Sequence, residues 1–365
     1  MQPDQSSRAV HCPHRGSHVC QEDYGNASHF KCPYHGWVFK NDGSFVGAPE
    51  MQAAYGGRLN ASEWGLRRAP KVDSIHGFIF ACLSEEAESL RDYLGGAAWM
   101  FDAIFGLHPD GVKALAPPER FILHADWKSG AENFVGDTYH IGTAHHSVTL
   151  TGYLPGDVRE GGQYAHGFLF ENGHEFLGYR LPEWFGPPFK YWGFPEELAS
   201  QFDLSALDET QRELLVTVPP SVGTIFPNFS YLRMPEPPGP GEFPIPNTDI
   251  RVWSPIAPGV MEVWHWQFNF AFMPEEYQRK AYLSGQYTFG AGGIFEQDDM
   301  TIWEGASKAA QSPWNRKVGA ELNYQQKRPE PNPDWKGPGQ FFDTYYGEYL
   351  QAGFWKQWLK MMRNG

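Results

Sequence analysis

"WKSGAENFVGDTYHIGTAHHSV" occupies Trp127–Val148 and decides how the larger part of the chain is read. Asn133, Asp137 and His140 stand at i, i+4 and i+7, a spacing that puts all three on one face of a helix. Gly142 then loosens the helix, and His145 follows with His146 beside it. Two imidazoles, one from a helix and one from its frayed end, can grip one metal ion. A ferrous oxygenase site needs two histidines and one carboxylate on one side of the metal, leaving the other side open to dioxygen. The plain alternative is an amphipathic helix with incidental histidines. That alternative loses ground when the same chain holds a second metal-type motif.

The second motif lies near the start. "CPHRG" (Cys12–Gly16) and "CPYHG" (Cys32–Gly36) echo each other, each placing a cysteine and a histidine on a tight turn. Together Cys12, His14, Cys32 and His35 spell C-x-H-x17-C-x2-H. Thiolate and imidazole both suit zinc or iron. A Cys2His2 zinc site more often pairs C-x2-4-C with H-x3-5-H. Mixed turns suit a Rieske [2Fe–2S] centre, where two cysteines bind one iron and two histidines the other. Gly16 and Gly36 would let the backbone approach a cluster and donate N–H groups to its sulfurs. His11, His18, His29 and Cys20 read as surface or packing residues.

The rest of the chain frames these sites. Its 365 residues suffice for two domains. Forty glycines and thirty prolines point to many turns and substantial sheet. The net charge of −14 offers no basic footprint for nucleic acid. Three of the four cysteines, Cys12, Cys20 and Cys32, crowd beside histidines, with Cys82 apart, which is not the spread of a disulfide framework. No run approaches the ~18 apolar residues of a membrane helix, and "MQPDQSSRAVH" has no signal-peptide core. The expectation is a soluble cytoplasmic protein.

Residues 1–88 alternate short apolar runs with turns, as in a small β domain. From about Ser89, "ESLRDYLGGAAWMFDAIF" takes helical spacing, and 89–365 reads as a second, mixed domain. Within it "GVMEVWHWQFNFAFM" (Gly259–Met273) is a strand, with Trp264, Trp266, Phe268, Phe270 and Phe272 on one face and His265, Gln267 and Asn269 on the other. Helices are predicted after Pro274 and on through Ala310, and again over "GEYLQAGFWKQWLKMM".

"CPHRG … CPYHGWVF", with Trp37 after the second turn, resembles the cluster loops of the Rieske non-heme iron oxygenases, the large (alpha) subunits of aromatic-ring-hydroxylating dioxygenases. The resemblance implies an α+β fold: an all-β Rieske domain at 1–88, then a catalytic domain at 89–365 with a curved antiparallel sheet covered by helices, of helix-grip or START-like form. It assigns the cluster to Cys12, His14, Cys32 and His35. It assigns mononuclear Fe(II) to His140 and His145, with His146 a bystander. "GIFEQDDMTIWE" (Gly293–Glu304) resembles the segment that supplies the third ligand, which implies Asp299, with Asp298 as fallback. Asn133 and Asp137 take catalytic places; Asp137 would bridge His35 of a neighbouring subunit to an iron-bound histidine. Phe134, Ile141, Phe289 and Phe295 match pocket positions around the iron.

The implied reaction adds both atoms of dioxygen to an aromatic ring, polycyclic or phthalate-like, to give a cis-dihydrodiol. An aromatic carboxylate would need a cation in the pocket, and Arg180, Arg233 and Arg251 are the candidates. No G-x-G-x-x-G opens a helix, so NADH would act through a separate reductase and ferredoxin. A β subunit in an α3β3 hexamer is expected as well. A Rieske monooxygenase or demethylase uses the same two sites and is the alternative; a non-catalytic iron–sulfur carrier would leave Asn133–His145 and Asp299 unused. The family has a longer segment before the first cluster cysteine, so the short start here reads as a truncation that would hold its cluster poorly.

Overall fold

A computed structural model describes residues 11–364 apart from 23–24, 154–156, 158, 160–162, 181–188, 240, 320, 327 and 344–345. Residues 1–10, on which the expectation of a truncated start rests, lie outside the described residues. Contacts divide the chain into two units, Met1–Tyr93 and Leu94–Gly365.

In the first unit β1 (His29–Lys31), β2 (Val38–Lys40) and β3 (Phe45–Gly47) form an antiparallel meander. The short helix α1 (Met51–Tyr55) follows, then the hairpin of β4 (Lys71–Ile75) and β5 (Phe78–Cys82). Its turn residues His76 and Gly77 have φ of +48° and +88°, the doubly positive pair that matches the right-handed twist of two flanking strands. The buried core is small: Cys12, Val19, Cys32, Trp37, Phe39, Phe45 and Leu66.

The helix expected from Ser89 is two helices, α2 (Leu90–Leu94) and α3 (Gly96–Phe105), broken at Gly95, whose φ of +50° ends the first. In the second unit come β6 (Val112–Ala114), β7 (Glu119–Leu123), α4 (Trp127–Gly136), α5 (Ile141–Ala144) and α6 (His146–Leu150). The middle holds β8 (Ala165–Leu169), β9 (Glu175–Tyr179), α7 (Glu196–Ala199), α8 (Glu209–Thr217), β10 (Pro220–Ile225), β11 (Phe229–Glu236), β12 (Ile245–Ala257) and β13 (Val260–Phe270). Last are α9 (Glu275–Thr288), α10 (Glu296–Ala310), α11 (Pro313–Val318), β14 (Gln340–Phe342) and α12 (Tyr349–Asn364).

The strands of this unit form one antiparallel sheet in the order β14-β8-β9-β10-β11-β12-β13-β6, with β7 also on β13. The expected architecture, a small β domain and an antiparallel sheet covered by helices, is the one found. Adjacent residues of a strand point to opposite faces, and β12 shows what each face meets. Thr248 Oγ1 accepts from Arg233 Nε at 2.8 Å, and Arg233 Nη1 donates to the Ile104 carbonyl of α3 at 2.8 Å. Two residues beyond Asp249 on the other face, Arg251 reaches Glu296 of α10. Helices α4, α9 and α10 therefore cover one face, and α3 the other.

On β13 the pattern is the reverse of an ordinary amphipathic strand. His265, Gln267 and Asn269 are buried while Trp264, Trp266 and Phe268 are half-buried. Within this buried polar row His265 is paired on both ring nitrogens: Nε2 lies 2.7 Å from Asp249 Oδ1 and Nδ1 lies 3.1 Å from Glu119 Oε2. Trp264 lies beneath the Arg120 guanidinium at 4.2 Å. No helix among the described residues is long and apolar enough to cross a membrane.

Candidate metal centres

Asp126 caps the start of α4, accepting from the Lys128 N–H at 3.0 Å. The expected helix through His140 is corrected: α4 stops at Gly136, whose φ is +135°. A Cβ there would meet Leu177 at 2.5 Å, so the chain turns where only glycine fits. Asp137 then fixes the turn, its Oδ1 accepting from the N–H of Tyr139 at 2.9 Å and of His140 at 3.3 Å. His140 and His145 flank the single turn of α5, one at each end. Gly142 lies inside that turn, where it allows the chain to pass Arg159.

The result is a triangle of donor atoms. His140 Nε2 and His145 Nε2 are 3.2 Å apart, and each lies 3.5 Å from Asp299 Oδ1. Three donors at about 2.1 Å from one ion and at right angles to one another stand about 3 Å apart, so the triangle fits a single divalent cation on one side only. The candidate donor atoms of His140, His145 and Asp299, one from each, all lie within 4.8 Å of one another. His145 and Asp299 are buried at 4% and 3% exposure. Burial pushes the Asp299 carboxyl up to about 7, with Glu296 and Asp137 adding to the rise against His140 and Arg251. Burial and the neighbouring His140 push His145 down to about 3.

Each imidazole turns its far nitrogen to a carboxylate. His140 Nδ1 lies 3.4 Å from Asp137 Oδ2, and His145 Nδ1 lies 3.4 Å from Asp298 Oδ2. Ser147 Oγ donates to that same Asp298 oxygen at 3.1 Å. Such carboxylate–histidine pairs fix ring orientation and raise ligand basicity. Burial works against Asp137, but the hydrogen bonds and charge of His140 keep its carboxyl below the usual range. Asn133 Nδ2 stands 3.4 Å from His140 Nε2. The resemblance implied Asp299 as third ligand with Asp298 as fallback; Asp299 stands in the triangle, and Asp298 lies against His145 Nδ1 instead. His146 lies outside the triangle.

Of the four expected pocket residues, Phe295 and, through it, Phe289 stand beside His145, and none of the four is among the residues that line the cleft next to the triangle. Phe289 and Phe295 stack at 5.1 Å, and Phe295 meets the His145 ring edge-on at 5.1 Å. Phe134 packs against Trp253 at 5.4 Å. Ile141 is half-buried and opens α5 between the two histidines. A cleft of about 830 Å³ opens beside the triangle, lined by Asn133, Asp137, His140 and Asp299 together with Glu132 and Trp355. Glu132, unmarked by any motif, accepts from Tyr324 Oη at 2.6 Å and Trp355 Nε1 at 2.9 Å. Burial raises its carboxyl against these two bonds.

In the first unit the two turns are built alike. Cys12 N–H donates to the Ser17 carbonyl and Cys32 N–H to the Trp37 carbonyl, both at 2.8 Å. Gly16 and Gly36 have φ of +74° and +69°. Their N–H groups donate to the Cys12 and Cys32 carbonyls at 2.8 and 3.0 Å, so they close the turns rather than point at sulfur. Both thiols are buried, at 2% and 1% exposure. The His14 and His35 rings stand 4.4 Å apart, and His14 stacks on Trp37 at 4.9 Å. His14 Nδ1 is buried without a hydrogen-bond partner. Two facing thiols and two facing imidazoles, one with an orphaned nitrogen, fit a cluster bound by two cysteines and two histidines.

Comparison with known proteins accords with both centres. Residues 3–68 match the Rieske [2Fe-2S] domain, and residues 90–363 match the ring hydroxylating alpha subunit catalytic domain. The chain is 52% identical to the N,N-dimethyl phenylurea N-demethylase subunit alpha of Sphingobium sp. (strain YBL2), over 97% of this chain and 78% of that one. It is 35% identical to the large oxygenase component of the naphthalene 1,2-dioxygenase system of Pseudomonas fluorescens, over 81% of this chain and 65% of that one. The crystal structure of naphthalene 1,2-dioxygenase from Rhodococcus sp. bound to indole superposes with a TM-score of 0.88 at 34% identity, covering 97% of this chain and 80% of that one. Donor geometry in both units and similarity along nearly the whole chain agree: this polypeptide belongs to the ring-hydroxylating oxygenase alpha subunits, with a Rieske [2Fe–2S] domain followed by a catalytic domain of the kind that carries mononuclear iron.

Proposed function

We propose that this alpha subunit oxygenates a neutral N-methyl arylamide or arylurea at the methyl carbon, removing that methyl group. The observation that carries the oxygenase part is the one-sided triangle of His140, His145 and Asp299. When bound, ferrous iron at that triangle and a [2Fe–2S] cluster held by Cys12, His14, Cys32 and His35 supply the oxygen chemistry and the electrons. The chain's own residues do the rest. Asp137 and Asp298 hold the imidazoles in one orientation. Phe134, Ile141, Phe289 and Phe295 give the substrate an apolar wall beside the triangle. Asp137, at the cleft, is the bridge to His35 of a neighbouring subunit.

The choice of N-demethylation follows identity: 52% to the phenylurea demethylase subunit against 35% to the naphthalene system. The charge of the site supports a neutral substrate. Arg180 is exposed, Arg233 serves the opposite sheet face, and the Arg251 guanidinium already meets the Glu296 carboxylate at 2.7 Å. Arg233 and Arg251 are thus already engaged with protein groups, which favours a neutral substrate over a phthalate-like carboxylate. The balanced reaction takes the N–CH3 compound, dioxygen, two electrons and two protons to the N-hydroxymethyl compound and water. Loss of formaldehyde then leaves N–H. Electrons come from a separate ferredoxin and reductase fed by NADH.

A second reading is ring cis-dihydroxylation, favoured by the likeness to naphthalene 1,2-dioxygenase. Turnover under 18O2 with an N,N-dimethyl phenylurea and with naphthalene separates the two. Formaldehyde and the monomethyl urea are expected from the first. A doubly labelled dihydrodiol from naphthalene, with no demethylation, would replace the proposal by the second reading.

A further inference from the structure

Arg251 is fully buried on β12 and touches three of the segments that build the triangle. Its Nη2 donates to Glu296 Oε2 at 2.7 Å and to the Phe289 carbonyl at 3.1 Å. Its guanidinium lies over the Phe134 ring at 4.8 Å and the Phe289 ring at 5.3 Å. Each contact leads to the metal site by a short route. Glu296 is in the first turn of α10, one turn before Asp299. Phe289 ends α9 and stacks on Phe295, whose ring meets His145. Phe134 follows Asn133 on α4.

As a device for stability alone this ion pair is poorly made. Both side chains are removed from water, at 0% and 1% exposure. Arg251 Nε and Nη1 and Glu296 Oε1 have no hydrogen-bond partner. A buried pair offsets its desolvation only with good geometry and satisfied polar atoms, and an apolar pair of similar volume is often as stable. What the pair does that an apolar pair would not is fix direction: one planar guanidinium nitrogen, Nη2, donates both to the Glu296 carboxylate and to the Phe289 carbonyl, tying α10 to the end of α9.

We infer that Arg251 is a positioning residue for the mononuclear iron centre: through Glu296 and the Phe289 carbonyl it holds the first turn of α10, and so Asp299, in register with His140 and His145. The inference rests on the reading of that triangle as the iron site. The same guanidinium lies over both the Phe134 and the Phe289 rings, so it also fixes these two aromatics relative to one another.

The test uses the complete oxygenase with its cluster in place and reads metal rather than turnover. Fe(II) affinity and the visible ligand-field bands of the Co(II)-loaded site are measured for wild type, Arg251→Met, Arg251→Lys and Glu296→Gln. Arg251→Met is expected to weaken Fe(II) binding about 10- to 100-fold and to shift the Co(II) bands, with cluster absorption unchanged. Arg251→Lys keeps the charge but not the fork and is expected to fall between. An Arg251→Met protein that melts earlier yet binds Fe(II) as tightly, with the same Co(II) bands, would make the residue merely structural and overturn the inference. Should Arg251→Met fail to fold, Glu296→Gln decides by the same two readings, weakened and shifted in support, unchanged against. Wild type that holds its cluster but takes up no Fe(II) would remove the iron reading beneath, a result distinct from unchanged affinity in the variants.

Discussion

Asp298 and Asp299 are neighbours in sequence with different duties, because consecutive residues on a helix point about 100° apart. Residue types were legible at this scale; their directions were not. A second residue hidden from the sequence is Glu236, buried at the end of β11 with Asn247 and the Thr288 hydroxyl on its Oε2. Burial pushes its carboxyl up to about 8, with the charge of Asp249 adding to the rise against the Thr288 and Asn247 bonds and the Arg251 charge. The folded state therefore binds a proton that the unfolded state releases near 4.5. Stability is greatest below that value and falls as pH rises toward 8, by at most about 1.4 kcal/mol per pH unit. Glu236→Gln keeps the hydrogen bonds and cannot ionise. Unfolding of the catalytic unit followed from pH 5 to 9 should show the variant gaining on wild type up to about pH 8 and the difference levelling beyond it. A constant difference at every pH would mean that Glu236 is ionised in the fold.

At the scale of elements, α4 shows how a correct grouping arises from a wrong geometry. Asn133, Asp137 and His140 do converge, but by a helix that ends at Gly136 and an Asp137-capped turn, not by one helical face. The i, i+4, i+7 pattern cannot tell these apart, and Gly136 was the only mark of the break. The strand β13 misleads in a related way. Its alternation was plain in the sequence, yet alternation says nothing about which face is buried, and here the polar face turns inward to Asp249 and Glu119. What seats α4 is Gly130 against Trp253, where a Cβ would come within 2.7 to 2.8 Å of three ring atoms. Gly130→Ala must lift the helix or turn the indole. Overpacking of this kind costs about 1–3 kcal/mol, more than the ~1 kcal/mol that alanine returns in helix propensity. The catalytic unit of Gly130→Ala should unfold earlier and turn over more slowly, since Asn133 is on α4 and Asp137 follows directly at its end. Stability equal to or above wild type would show that the indole yields freely and that the contact does not seat the helix.

The two units of the molecule differ in how much core they have without metal. The catalytic unit has long strands, of 13 and 11 residues at β12 and β13, and a core fed from both sheet faces. Alternation and helix periodicity marked it as a mixed helix-and-sheet region, and the resemblance supplied the antiparallel sheet covered by helices. The first unit has three-residue strands in its meander and seven residues in its buried cluster, two of them the thiols of Cys12 and Cys32. Little in its sequence besides the Cys–His turns specifies a fold, because so small a core supplies little burial. Binding free energy at a site formed only in the folded state is folding free energy. Loss of the cluster should therefore act on this unit alone. Calorimetry of the holoprotein is expected to resolve two transitions, and bleaching the cluster with acid and chelator should abolish the lower or drop it by at least ~10 °C, given that 1 kcal/mol moves a domain of this size by about 4–8 °C. The upper transition should stay within ~2 °C when Fe(II) is resupplied to the catalytic unit, which does not rely on cluster binding for its core. A bleached protein that retains both transitions would show that the seven-residue core and its turns suffice without iron and sulfide.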